Sequence, residues 1–288
     1  MSSAEHRGAV LERRMRNRLP AAGWRDVPEL VLWTAGAGLL LGVGHLAVVA
    51  GGLPFHAGLA AGTVLGMGGL AVLIRSRHDL KLLRGTLGVR GVLVGLLAGT
   101  ILGLLSNTVM ALLVDISPAL EALAERRAPM MESILLPEQP EMLPVVLLVA
   151  AILPGLFEEL LFRGAFRERF LRRSTAWRLV WISVVFSALH ADLVALLPLF
   201  GVGLLLGLAA ERTGGWAFAA VLHVAHNGAA ILIAVWAVHG AGHETAEEPE
   251  LWVMAGLVIL LATALAVVWN SAPRKRVDGF RTRNGVSD

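Results

Sequence analysis

Eight apolar runs separated by two alternating kinds of junction constrain this chain more than any other feature. The runs lie at about 30–50, 57–74, 91–114, 143–162, 178–191, 193–210, 216–238 and 251–269. Most approach the roughly 20 residues that a bilayer-spanning helix needs; the fifth is the shortest. Of the 25 Lys and Arg, all but Arg126 and Arg127 lie in the two tails or after the second, fourth and sixth runs. The third junction carries acids instead, among them Asp115, Glu121, Glu125, Glu132, Glu138 and Glu141. The positive-inside rule then places both termini and the 163–178 segment in the cytoplasm, and residues 115–141 and 239–250 outside. Eight spans keep this alternation; seven or nine break it.

Composition agrees. The chain is 56% hydrophobic and 16% charged, against about a quarter charged in soluble domains. The net charge of +3 is clustered at junctions, so it speaks to topology and not to nucleic-acid binding. There is no cysteine, which removes disulfides, thiolate metal sites and cysteine nucleophiles. The polar, Arg-rich start is too long for a signal-peptide n-region, so no cleaved signal is expected. The expected protein is all-α and polytopic, with about eight transmembrane helices around a buried polar cavity. Residues 1–29 and 270–288 form cytoplasmic basic tails, and 30–269 the membrane domain, with its core at 143–238. The cell (inner) membrane is the expected location.

Three polar groups fall where lipid rejects them. In "LFEELLFRGAF", Glu159 and Arg163 are i,i+4 neighbours with the acid on the favourable N-terminal side. Glu158 is turned about 100° away and lacks that partner. "FSALH" runs from Phe186 to His190. "HVAHN" places His223 and Asn227 one turn apart, with His226 offset and read as a packing or supporting residue. "RGAFRERFLRR" has no helix breaker, so the fourth helix is expected to reach Arg173, with Ser174 to Trp177 turning into the fifth. Glu159 and His190 are then each roughly 20 Å from the turn at 1.5 Å per residue. Pro154-Gly155, one turn before Glu158, is expected to loosen the helix and open a cavity. A carboxylate beside histidines and an amide suggests water activation and oxyanion stabilisation.

These segments resemble the E-E-x-x-x-R, F-x-x-x-H and H-x-x-x-N motifs of the CPBP family. Its members are CAAX-protease and bacteriocin-processing intramembrane endopeptidases, also called the Abi family. The motifs occur in family order, within about 143–238. The resemblance implies that Glu158 is the base on a water also held by His190, and that His223 and Asn227 form the oxyanion site. It implies support from Glu159, Arg163 and Phe186, and hydrolysis of a peptide bond in a membrane-associated or C-terminal-signal substrate. No cofactor is expected; the alternative is zinc held by Glu158, His190 and His223. Expected partners are a membrane protein or peptide substrate and the bilayer, with no nucleic acid. Other readings are a non-catalytic immunity or scaffold protein, and a proton-coupled transporter, for which no inverted repeat is visible.

Overall fold

A computed structural model describes residues 26–239, except 53, 86 and 138, and a few positions between 255 and 266. The described residues are all-α, without strands. Helices α1 (Asp26–Ala50), α2 (Phe55–His78), α3 (Val89–Asp115), α5 (Pro140–Arg169), α7 (Leu196–Thr213) and α8 (Ala217–His239) are long and apolar enough to cross a membrane. Helix α6 (Thr175–Leu189) is apolar but shorter, and α4 (Pro118–Leu135) is a polar helix with no buried residue. Seven of the eight expected spans are thus present as helices, of which six are long enough to cross. The eighth, 251–269, lies mostly outside the described residues.

The helix ends follow local chemistry. Ser174 caps α6 by accepting the Trp177 N–H at 3.2 Å. Gly214, at φ +76°, ends α7, as a left-handed glycine commonly does. Ser117 and Pro118 start α4 with a capping hydroxyl and a proline at its first position. The sequence marks this stretch only as an outer junction, and its helix is an addition. The turn after α5 also comes earlier than expected, because the helix stops at Arg169 and Phe170–Ser174 make the connection.

Packing inverts the soluble pattern. Leu32, Leu39, Leu46, Leu65, Leu93 and Leu97 are exposed, while Glu159, Arg163 and His223 are buried. Apolar side chains facing outward need no water in a bilayer, whereas polar groups there must be enclosed. Helices α3 and α8 touch at backbone distance. A Cβ added at Gly99 would lie 2.3 Å from the Leu222 carbonyl oxygen, and one at Gly103 would lie 2.8 Å from that of His226. Gly95, Gly99 and Gly103 share one helical face, so their missing side chains let α8 settle onto α3.

Ion pairs tie the helix ends at the 163–178 side. Glu211 of α7 accepts from Arg167 and from Arg178. Arg169 makes a two-pronged bond to Glu29 of α1, and Arg173 pairs with Asp26. The Asp26 carboxylate raises the pKa of Arg173 through its hydrogen bond. The N-terminal end of α8 is closed by the loop before α3: Trp216 and Ala217 donate their N–H groups to the carbonyls of Leu83 and Arg84. These contacts fix the heights at which α5, α6 and α8 present their polar residues.

Candidate active site

Helix α5 carries the two glutamates on a locally altered spiral. Wide π turns at Leu148–Ile152 and Leu160–Phe166 flank the α-helical stretch Leu153–Glu159. Such turns recur at functional sites because they re-aim side chains without breaking the helix. Pro154-Gly155 lies directly after the first of these wide turns. A Cβ at Gly155 would lie 2.5 Å from Val224 Cγ2 and 2.8 Å from Val224 N. The glycine lets α8 approach within a turn of both glutamates.

That approach joins the first and third motifs. Oε1 of Glu159 accepts from Arg163 Nη1 at 2.9 Å and from His223 Nδ1 at 2.9 Å. Arg163 Nη2 donates to the Gly203 carbonyl at 2.8 Å, which adds α7 to the cluster. Glu159 is 0% exposed and Arg163 2%, so the pair has no water to soften its charges. The neighbouring Glu158 is also buried, yet no hydrogen bond satisfies its Oε2. Oε2 of Glu159 and Nε of Arg163 are likewise without partners.

The second motif frames this cluster. His190 stands at the end of α6, and its Nδ1 lies 2.9 Å from the Phe186 carbonyl. A carbonyl oxygen only accepts, so Nδ1 carries a proton there, which leaves Nε2 as the ring nitrogen that faces other partners. The Phe186 ring sits at the centre: 5.1 Å from the His190 ring, 5.7 Å from that of His223, and beneath the Arg163 guanidinium at 4.7 Å. The cluster opens on one side, because His190 is exposed and Asn227 half-buried while the other members are enclosed.

Asn227 is on the same helix as His223 but bonds elsewhere. Its Oδ1 is 2.9 Å from His226 Nδ1, and its Nδ2 donates to the Ala150 carbonyl at 3.4 Å. His226 in turn meets Ser106 Oγ at 2.9 Å. Ser106, and the carbonyls of Ala150 and Gly203, were not among the residues singled out from the sequence. The Gly95–Gly99–Gly103 spacing was the one visible sign that α3 lies against the site. Among the described residues no three His, Asp or Glu side chains are grouped so as to hold a metal ion. His223 Nδ1 is committed to Glu159 and leaves its Nε2 open, as a carboxylate-bound imidazole does.

Fold and site together define an integral membrane protein whose spans enclose a carboxylate–imidazole centre. Residues 140–229 match the family described as type II CAAX prenyl endopeptidase Rce1-like, over a stretch that holds all three motifs. The CPBP and CAAX-protease family recognised from those motifs is therefore the family that a model of known proteins also finds. No curated protein and no solved structure matches the chain.

Proposed function

We propose that this protein is an intramembrane endopeptidase that uses Glu158 to activate the water that cleaves a peptide bond. The substrate class is a membrane-associated protein or peptide carrying a C-terminal signal, as the CAAX-protease likeness suggests. The observation that carries the assignment is the contrast between two adjacent glutamates. Glu159 is held by Arg163 and His223, whereas Glu158 is buried with an unsatisfied oxygen. A carboxylate already bound by a guanidinium and an imidazole is a poor base; an unpartnered one is free to take a proton.

In this mechanism Nε2 of His190 accepts one hydrogen of the water and Glu158 removes the other. The water oxygen attacks the carbonyl carbon of the scissile amide, and charge develops on the carbonyl oxygen. Nδ2 of Asn227 donates to that oxygen, as does Nε2–H of His223 when its ring is doubly protonated. Glu158 then passes its proton to the departing amine as the C–N bond breaks. Arg163, Glu159 and Phe186 hold the imidazoles in place. The orientation follows the charge pattern, with both termini in the cytoplasm.

The test is Glu158→Gln, which keeps the shape and cannot take the proton. Membrane proteomes from cells with the native chain or the variant are compared for shortened C-terminal peptides. Glu158→Gln is expected to reach normal membrane levels and to leave those peptides uncleaved. Cleavage at the native level would remove Glu158 as the base, and C-terminal peptides that are the same in native cells and in cells lacking the protein would favour a scaffold role.

A further inference from the structure

We infer that His226, anchored by Ser106, is a positioning residue that fixes which end of the Asn227 amide faces the substrate. The inference rests on the proposed oxyanion role of Asn227 and adds what holds that amide in register. An asparagine side chain has one end that accepts and one that donates, and the two ends have nearly the same shape. Only the nitrogen end stabilises an oxyanion. The oxygen end, turned through a half rotation, would repel it. A site built on asparagine therefore needs something that tells the ends apart.

Two independent contacts do so. The Ala150 carbonyl lies 3.4 Å from one end of the amide, and a carbonyl only accepts, so that end is the nitrogen. Nδ1 of His226 lies 2.9 Å from the other end, which must then be the oxygen, so Nδ1 donates to it. The far side of the ring fits this tautomer. Nε2 is 2.9 Å from Ser106 Oγ, whose hydroxyl can supply the hydrogen that Nε2 lacks. The Gly103 carbonyl, 3.1 Å away, is the other acceptor within reach of that hydroxyl. Either way Nδ1 donates to Asn227. The 3.4 Å contact to Ala150 is long, and it leaves the second N–H of the amide uncommitted.

The ring itself has little freedom. His226 is 6% exposed, and its backbone lies against Gly103 at a distance that only a glycine permits. Ser106 stands three residues beyond Gly103, on the adjoining turn of α3. The glycine contact thus sets the height of the serine against the histidine. Of the described hydrogen bonds, the ring makes only those to Ser106 and Asn227, and none involves a carboxylate. Its position is therefore explained by the amide it holds and the hydroxyl that holds it.

The test uses two substitutions that imitate one ring nitrogen each. The amide nitrogen of His226→Asn falls near the place of Nδ1, and that of His226→Gln near the place of Nε2. The first keeps a donor for Asn227; the second keeps a partner for Ser106 and loses that donor. The readout is kcat and KM on a dye-quenched peptide with an apolar C-terminal segment in detergent, with unfolding temperature measured alongside. His226→Gln and His226→Ala are expected to lower kcat on the order of tenfold with KM little changed, as loss of an outer partner that orients a working group does elsewhere. His226→Asn should recover most of that loss. In an Asn227→Ala background the His226 substitutions should cost nothing further in kcat.

A second readout needs no substrate. In protein labelled with 15N-asparagine, the side-chain amide signal of Asn227, identified by its loss in Asn227→Ala, should persist in His226→Asn. It should broaden or move in His226→Gln. The inference is overturned if His226→Gln matches the native protein in both readouts, or if losses in kcat from His226 and Asn227 substitutions multiply. If Asn227→Ala is itself fully active, the oxyanion reading falls and takes the inference with it. If Asn227→Ala is crippled while all three His226 variants are native, the oxyanion reading stands and this inference alone fails.

Discussion

Removing Arg163 should cost more in stability than removing any other single side chain of the site, and removing its partner as well should return much of that cost. The guanidinium gives one hydrogen bond to Glu159 at 2.9 Å and one to the Gly203 carbonyl at 2.8 Å, from a position 2% exposed. Arg163→Met keeps the volume but leaves Glu159 facing only His223 at 2.9 Å. Breaking a buried pair by deleting one partner costs about 3–5 kcal/mol, chiefly because the other charge is stranded. Glu159→Gln strands Arg163 in the same way, although the glutamine oxygen can still accept from both neighbours. The double variant Arg163→Met with Glu159→Gln strands no charge, so its loss should fall below that of either single change. The coupling should be at least about 2 kcal/mol, within the range measured for neighbours in one network. Reversible unfolding in mixed micelles, followed by tryptophan fluorescence, measures all four proteins. Additive losses would refute the claim that Arg163 and Glu159 form one charge-neutral unit.

Gly99→Val should separate α3 from α8, since a Cβ there would come within 2.3 Å of the Leu222 carbonyl oxygen; loss of folded protein in detergent is expected, and a native unfolding profile would contradict the packing. Single cysteines placed in this cysteine-free chain should react with impermeant thiol reagent at 132 and 247 but not at 81 or 276; outside labelling at 81 would reverse the proposed orientation. A membrane-permeant chelator should leave purified enzyme active, whereas stoichiometric zinc with activity lost on chelation and restored by zinc would make Glu158, His190 and His223 ligands.

Much of this architecture can be read from spacing alone, because membrane spans are long apolar runs and their charges mark the junctions. Glu158, Glu159 and Arg163 stood out for the same reason: lipid makes every buried charge conspicuous. The pairing of Arg163 with Glu159 follows from one helical turn. The bond from His223 to Glu159 does not, since it joins residues 64 apart in sequence and depends on how closely α8 approaches α5. Gly155 controls that approach, and alone it looks like a helix breaker. His226 was similarly ambiguous, because its meaning depends on Ser106, 120 residues away. The four-residue spacing of Gly95, Gly99 and Gly103 did carry the information that α3 is a close neighbour, but a glycine pattern does not name the helix it meets. The π turns of α5 have no counterpart in hydropathy, which is blind to a change in the number of residues per turn.

The shortness of α6 reaches beyond the site. Its 15 residues rise only about 22 Å at 1.5 Å each, less than the roughly 30 Å of a hydrocarbon core. The chain leaves the helix at His190, passes Ala191 in a left-handed conformation at φ +51°, and satisfies the N–H groups of Val194 and Ala195 with Oδ1 of Asp192. The other oxygen of Asp192 pairs with Arg127 of α4. A non-helical, salt-bridged stretch of this kind needs enclosure by protein or contact with water, and α4 supplies a charged partner for it. His190 thus stands at the last turn of a short helix whose exit is tied down by side chains and not by the bilayer.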